Sequence, residues 1–217
     1  MKLSKTTISI LKNFANINGG IQFVEGNEIR VAAIDKSVMG IAHVEEQFPV
    51  DFALYDLNQF LSVLSMFNDP ELDFHEDYMY IKQGRNRVKY FFTDSDNIVG
   101  APYSLELDSV DDTMFISADQ LDSLTKASAV MKLEDFSIVK QGDSIQMIVE
   151  DGDQDSNNEF TIDVEFEVDV EDFELQLKMK TLNFVKLDYE ISFVENNQFL
   201  IFANSESKLK YYVAVQS

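Results

Sequence analysis

The sequence of 217 residues contains no cysteine and no tryptophan. The absence of cysteine excludes disulfides, thiol catalysis and thiolate metal sites, and it fits a reducing compartment. Basic residues are also scarce, because 17 Lys and Arg stand against 39 Asp and Glu, which gives a formal net charge of -22. A protein with this balance does not bind nucleic acid through a surface that is basic all over, so any contact with DNA must be local.

Long apolar runs are missing as well. No stretch of 18 apolar residues is present, and the N-terminal apolar residues are interrupted by Lys12 and Asn13, which argues against a secretory signal. Hydrophobic residues nevertheless make up 45% of the chain and aromatic residues 12%, which is too much for a disordered acidic segment. We therefore expect a folded, soluble, intracellular protein without a membrane partner, built as one large domain or two small ones.

The first half of the chain predicts two helices among short strands. Residues 2–18 predict an amphipathic helix, whose polar stripe contains Lys5, Ser9, Lys12 and Asn16. Asp56 and Gln59 form a capping pair that opens a second helix over 57–67. Four strand candidates separate the two helices and three follow them: 21–24, 29–34, 38–44 and 50–55, then 72–75, 78–82 and 87–93.

The second half repeats this order. A capping box at 117–120 opens a helix that extends to about Met131, and a short fourth helix is predicted near 180–186. Strands are predicted at 136–140, 145–150, 160–170, 173–177, 189–194, 199–203 and 209–215. The repeat predicts an α+β fold of two duplicated domains, which occupy 1–93 and 114–217 and are joined by a connector over 94–113.

Acidic residues are absent from most of the four predicted helices. No Asp or Glu occurs in the windows 2–18, 57–68, 123–133 and 178–187, and Asp119 and Asp122 are the chief exceptions next to them. The same windows hold eight lysines: Lys2, Lys5, Lys12, Lys126, Lys132, Lys178, Lys180 and Lys186. A lysine-decorated solvated face would explain one such helix, but four of them favour a shared surface that faces a polyanion. Lysine contacts with phosphate are independent of base sequence and sensitive to salt.

Charges of opposite sign are also segregated between two strands. Acidic residues alternate with apolar ones over 163–171, whereas Lys82, Arg85, Arg87 and Lys89 decorate a strand pair in the first half. Each set alone is typical of a solvated face. Together they suggest that the basic edge of one copy meets the acidic edge of another, a head-to-tail contact that can close into a ring.

Short motifs in a fixed order carry a family resemblance. They lie at 1–5, 11–15, 55–58, 60–61, 99–102 and 209–214. With these residues the chain resembles the sliding clamps, the DNA polymerase processivity factors, of the tailed-bacteriophage type. Its last strand is similar to that of the eukaryotic proliferating cell nuclear antigen.

The resemblance implies a homotrimer of two-domain subunits. Two helices per domain would line the inner face of a ring around duplex DNA, and antiparallel sheets would form the outside. It implies a non-enzymatic tether for the replicative DNA polymerase, with neither metal nor cofactor, in the cytoplasm of an infected bacterial host. An ATP-dependent clamp loader is the implied partner for opening the ring, and transcription factors are further expected partners.

The resemblance also assigns residues to three surfaces. The eight lysines above would face DNA, with Lys5, Lys12, Lys126 and Lys186 matching most directly. The subunit interface would contain Arg85, Arg87, Lys89, Tyr90, Phe91, Phe160, Asp163, Glu165 and Phe166. A pocket for partner peptides would be lined by Ile34, Val38, Val99, Pro102, Tyr212, Val213 and Ala214.

Other chemistry finds little support in the sequence. Acidic residues occupy alternate positions over 151–155, as in a calcium-binding loop. However, Ser156 stands where such a loop requires Gly, and Ile162 stands where it requires a Glu that binds the ion through both oxygens. Two isolated histidines, His43 and His75, lack metal-ligand spacing, and no phosphate loop or nucleophile elbow is present. Two rivals stay open: an acidic DNA mimic, against which the acid-free helices argue, and a hydrolase that uses ordinary carboxylates.

Overall fold

A computed structural model describes residues 1–101, 113–151, 158–164, 171–194 and 198–216. The chain divides into two compact units, Met1–Leu105 with Ser205–Lys210 and Glu106–Asn204 with Tyr211–Ser217. Residues 102–112, which form most of the predicted connector, lie outside the described part of the chain. The domain boundaries at 93 and 114 therefore stay predictions.

The first unit contains two helices and two antiparallel sheets. Its elements are β1 (Ile21–Val24), β2 (Gly26–Ala32), β3 (Val38–Phe48), β4 (Phe52–Leu54), β5 (Glu71–Phe74), β6 (Tyr78–Gln83), β7 (Asn86–Phe91), α1 (Lys5–Phe14) and α2 (Leu57–Ser65). The strand orders are β4-β1-β2-β3 and β5-β6-β7. Helix α2 begins where the sequence predicts its cap, because the Gln59 N–H donates to Asp56 Oδ1 over 2.8 Å. Helix α1 begins at Lys5, later than the predicted residue 2, with Ser4 as its cap: the Thr7 N–H donates to Ser4 Oγ over 3.1 Å.

The second unit has one α-helix and two sheets. Its elements are β8 (Thr113–Ile116), α3 (Ala118–Met131), β9 (Asp135–Gln141), β10 (Ser144–Glu150), β11 (Phe160–Val164), β12 (Phe173–Lys178), β13 (Tyr189–Val194), β14 (Phe199–Asn204) and β15 (Leu209–Ala214). The first two residues of β15 belong to the first unit. The strand orders are β15-β14-β13-β8 and β11-β10-β9-β12. Ser117 and Gln120 form the predicted capping box at the start of α3.

Apolar faces of the helices pack into the core of each unit. Ile10, Leu11 and Phe14 of α1 are buried, as are Leu121 and Leu124 of α3. The contact of α1 with β3 requires a glycine, because a Cβ on Gly40 would come within 2.7 Å of the Phe14 ring. The α+β fold with antiparallel sheets is confirmed.

Three elements differ from the sequence prediction. The first helix ends at Phe14, not at residue 18, because turns follow it. Strand β8 was not expected, since the connector was predicted to end at residue 113 and no element was assigned to 114–116. The prediction of a fourth helix was wrong, because that segment forms only a single 3-10 turn, at Met179–Leu182.

Side chains explain why that fourth helix does not form. The Thr181 hydroxyl donates to the Lys178 carbonyl. Further along the segment, the backbone groups of Val185 form hydrogen bonds with two tyrosine hydroxyls. The Val185 N–H donates to Tyr211 Oη over 3.2 Å, and the Val185 carbonyl accepts from Tyr189 Oη over 2.6 Å. Backbone groups bonded in this way are not available to continue a helix.

Candidate nucleic-acid interface

Helix α1 presents two exposed lysines on its solvent-facing side. Lys5 and Lys12 lie two turns apart, opposite the buried Leu11 and Phe14. Neither lysine has an acidic partner among the residues that the structure describes. Both line a groove of about 320 Å³ between α1 and α2. Helix α1 therefore offers two unneutralised ammonium groups to an anion.

Helix α2 differs from α1, since its exposed side carries no charge. Asn58, Gln59, Ser62 and Ser65 are exposed, and the helix contains neither cation nor acid. The positive charge of the first unit's helices therefore comes from α1, since no Lys or Arg occurs over 57–67.

In the second unit, two of the predicted lysines meet at one carboxylate. Asp122 of α3 accepts hydrogen bonds from two lysines. Lys126 lies one turn after it on the same helix, and Lys186 lies in the segment before β13. These two hydrogen bonds, Lys126 first and Lys186 second, lower the pKa of the Asp122 carboxyl. In return, the hydrogen bond and charge of Asp122 raise the pKa of Lys126. The cluster carries one net positive charge where the sequence suggested two.

Two other predicted lysines are paired as well. Lys2 pairs with Asp69, and both side chains are more than half exposed. Lys178 pairs with the buried Asp135, so its ammonium group is turned toward β9. The acid-free windows did not reveal these partners, because Asp69, Asp122 and Asp135 lie just outside them.

The remaining two lysines are exposed. Lys132 caps the C-terminus of α3 in the left-handed conformation with φ of 59°, and Lys180 lies in the 3-10 turn. Lys132 has no acidic partner within the described segments. The structure therefore sorts the predicted DNA-facing residues into paired lysines and lysines such as Lys5, Lys12 and Lys132 that are not neutralised.

Tyrosines fix the segment that carries Lys186. Tyr189 and Tyr211 are fully buried, and their hydroxyls hold the Val185 backbone as described above. The Phe184 ring stacks on Tyr211 with centroids 4.1 Å apart. Burial raises the pKa of both tyrosines well above the usual value of 10. Lys186 follows directly after this anchored pair of residues.

The predicted interface strands are both edge strands in the orders given above. On β7, Lys89 lies 3.8 Å from the Tyr78 ring centroid, and Arg87 lies 4.7 Å from that of Tyr80. The Phe91 side chain is 62% exposed. Arg85 is exposed in the turn before β7, and the hydroxyl of the half-buried Tyr90 donates to the Asp56 carbonyl.

The acidic side of the predicted interface is described only in part. On β11, Phe160 is half-buried, and Asp163 accepts a hydrogen bond from Gln146. Glu165 and Phe166 lie outside the described residues. The subunit interface stays a prediction, with two open strand edges as its structural support.

The predicted peptide pocket contains residues in different environments. Ile34 is 77% exposed, whereas Val38 and Val213 are buried. Val99, Tyr212 and Ala214 are half-buried, and Pro102 lies outside the described residues. The pocket also stays a prediction.

The candidate calcium loop lies almost wholly outside the described residues. Elsewhere in the described ranges, no group of three His, Asp or Glu side chains could hold a metal ion. Among those residues no helix is long and apolar enough to cross a membrane.

Comparisons with known proteins point to one family. Residues 2–99 match the family described as DNA polymerase processivity factor. The sliding clamp of Vibrio phage KVP40 is 34% identical over 200 residues, which cover 88% of this chain and 90% of the phage protein. The sliding clamp of Escherichia phage RB69 is 34% identical over 147 residues, which cover 67% of this chain and 64% of that protein.

Solved structures show the same fold. The DNA polymerase III subunit beta of Pseudomonas aeruginosa matches with a TM-score of 0.70 and 11% identity over 98% of this chain, which spans 63% of that chain. The proliferating cellular nuclear antigen of Entamoeba histolytica matches with a TM-score of 0.70 and 10% identity over 97% of this chain and 94% of its own. The relatives do not support the DNA-mimic alternative, and the chain belongs to the sliding-clamp family of DNA polymerase processivity factors.

Proposed function

We propose that this sliding clamp forms a closed homotrimeric ring around duplex DNA and holds the replicative DNA polymerase there. The observation that carries the proposal is the pair of exposed lysines, Lys5 and Lys12, on α1, which form no ion pair with any described residue, in a chain of net charge -22. A local basic stripe in an acidic protein attracts a polyanion to that stripe alone. The acidic remainder repels DNA from the other surfaces.

Two open strand edges support the assembly. Within the described residues β7 and β11 are edge strands; β7 carries Arg87 and Lys89 and β11 carries Asp163, so one copy can extend the sheet of the next through charges of opposite sign. Such head-to-tail contacts form a closed ring when the rotation that relates one copy to the next divides a full turn evenly. Three copies per ring is the number that the resemblance to phage clamps implies, and the division of the chain into two compact units supports a two-domain subunit.

A closed ring gives retention without tight binding. Dissociation requires the ring to open, so the lysines need only make weak, sequence-independent contacts with phosphates. The role is then a tether with no catalytic step of its own. An ATP-dependent loader opens the ring, and the polymerase, the loader and transcription factors dock at the peptide pocket, in the cytoplasm of an infected bacterial host.

The test is retention on circular DNA. The clamp, loaded by its cognate loader onto a nicked plasmid, should stay bound and should run off after the plasmid is linearised. Equal release from circular and linear DNA would contradict the ring, and a DNA mimic would bind neither form.

The role of the α1 lysines is tested in the same assay. The double variant Lys5→Gln/Lys12→Gln should remain on the circle but run off the linear form faster. The salt dependence of its DNA binding should fall by about 0.9 in log–log slope for each phosphate that a lysine no longer neutralises. Lys36→Gln, which changes an exposed turn lysine in the same unit, is the matched control. Identical behaviour of the two variants would remove α1 from the DNA-binding surface.

A further inference from the structure

We propose that Asp122 competes with DNA phosphates for Lys126 and Lys186 and so keeps the contacts of the second unit weak. The proposal rests on the proposed function, because it concerns the strength of the lysine contacts of a clamp on DNA. It adds a carboxylate to a surface that the sequence described by its cations alone.

The geometry shows that one acid serves two lysines. The Asp122 side chain is 20% exposed, whereas those of Lys126 and Lys186 are 72% and 66% exposed. The carboxylate therefore lies below two ammonium groups that reach into solvent. A phosphate that approaches from solvent meets the ammonium groups first, and each of them already has an anionic partner.

Phosphate binding is then an exchange of partners. To bind a phosphate fully, Lys126 or Lys186 must weaken its hydrogen bond to Asp122, and the phosphate must approach a carboxylate of like charge. Exposed ion pairs are individually weak, so the exchange is possible but lowers the gain from counterion release. Lys5 and Lys12 on α1 have no such partner among the described residues and make the stronger contacts.

The surroundings of Asp122 offer a matched control. Asp119 lies one turn earlier on the same helix and is exposed. Its charge is the weakest of the causes that act on the pKa of Lys126, and within the described residues neither lysine of the cluster hydrogen-bonds to it. Asp188 accepts a hydrogen bond from the Ala118 N–H at the start of α3. Asp119→Asn thus removes the same charge from the same helix without releasing a lysine.

The opposite role for Asp122 predicts the opposite sign. If Asp122 instead positioned the two lysines toward DNA, its removal would leave them mobile, and binding would become weaker. A general effect of net charge would make Asp122→Asn and Asp119→Asn equal. The three explanations therefore predict different DNA affinities for Asp122→Asn and Asp119→Asn, so one measurement distinguishes them.

That measurement is the affinity of the full-length clamp for a short linear duplex at several salt concentrations. The duplex is used with free ends, over which a ring can thread, and with both ends blocked by streptavidin. We expect Asp122→Asn to bind the free-ended duplex about three- to tenfold more tightly than wild type at low salt. Its salt dependence should become steeper by up to about 0.9 in log–log slope per released lysine.

The controls decide between the outcomes. Asp119→Asn should stay near the wild-type affinity, and Lys126→Gln/Lys186→Gln should abolish the gain when combined with Asp122→Asn. An unchanged or weaker affinity of Asp122→Asn, or an equal gain in Asp119→Asn, would overturn the competition. Wild-type protein that binds free-ended and blocked duplexes equally would instead contradict the ring itself. Unfolding in guanidinium checks that each variant is folded.

Discussion

Single residues show how strongly the lysines of this clamp differ in what they contact. Lys5 and Lys12 form no ion pair within the described part of the chain, whereas Lys126 and Lys186 share Asp122. Lysine counts therefore overestimate the positive charge that α3 and the segment before β13 present. The spacing of Asp122 and Lys126, four residues apart on a helix, was visible in the sequence as a pairing signal. The pairing of Lys186 with Asp122 was not, because 64 positions separate the two residues.

Tyr189 should make the clamp sensitive to alkali. Burial raises its pKa above the usual value of 10, so the tyrosine stays neutral in the fold while the unfolded chain ionises near pH 10. The stabilisation is complete below pH 10 and is lost as pH rises, at about 1.4 kcal/mol per pH unit for each such group. We expect the free energy of unfolding, measured in guanidinium from neutral to strongly alkaline pH, to fall above pH 10.

Above pH 10 the free energy of unfolding of Tyr189→Phe should fall less steeply with pH than that of wild type. The difference in slope is the contribution of one buried tyrosine. At neutral pH the substitution should cost about 1 kcal/mol, because the hydrogen bond to the Val185 carbonyl is removed. Tyr55→Phe, at a position that is 70% exposed, is the control and should leave the slope unchanged. The same slope in wild type and Tyr189→Phe would contradict the role of the buried hydroxyl.

Among the elements, α1 depends on a residue from β3 that the sequence did not single out. The Glu46 carboxylate accepts hydrogen bonds from the Ser4 N–H and, over 2.6 Å, from the Thr7 hydroxyl. Glu46 and Thr7 are both buried. An acid at the first turn of a helix also interacts favourably with the helix dipole. The orientation of the Lys5 and Lys12 stripe therefore depends on β3.

Removal of this acid should loosen α1. We expect Glu46→Ala to lower the free energy of unfolding by about 1–3 kcal/mol, because the buried Thr7 hydroxyl and the half-buried Ser4 N–H lose their partner. Glu45→Ala, one residue earlier on the exposed side of β3, should change it by less than about 0.5 kcal/mol. Denaturant titration of both variants measures the difference, and equal costs would show that the carboxylate does not anchor the helix.

At the scale of the whole molecule, β7 and β11 are edge strands among the residues that the structure describes, which suits them to pair with a neighbouring chain. Exposed edges invite pairing with another strand, and charges on them select the partner. Arg87 and Lys89 lie over tyrosine rings, which holds these cations along the β7 edge. The edge is thus suited to meet an acidic strand in a second copy.

Reversal of that edge should break the ring. The variant Arg85→Glu/Arg87→Glu/Lys89→Glu places like charges opposite Asp163, so light scattering should show the 24.8 kDa chain alone in place of a species of three times that mass. Lys36→Glu, an exposed change away from both edges, should leave the mass unaltered. An intact oligomer in the triple variant would remove β7 from the interface.

The sequence by itself determined the features that arise within a few residues. Caps at Asp56 and Ser117 marked the starts of two helices, and alternation or helical spacing of apolar residues specified most of the elements. Segregation of acids and lysines predicted a surface for a polyanion, which stays a prediction. Local hydrogen bonds and side-chain period act over short separations, so they can be recognised without the fold.

Only the tertiary structure decided which charges meet and which segments lose their local preference. Lys178 pairs with Asp135 and Lys186 with Asp122 because folding brings distant residues together. Tyr189 and Tyr211 bind the backbone near Val185, so the expected fourth helix is reduced to one 3-10 turn. Such contacts depend on the packing of whole elements, in which buried partners outweigh the weak propensity of a short segment.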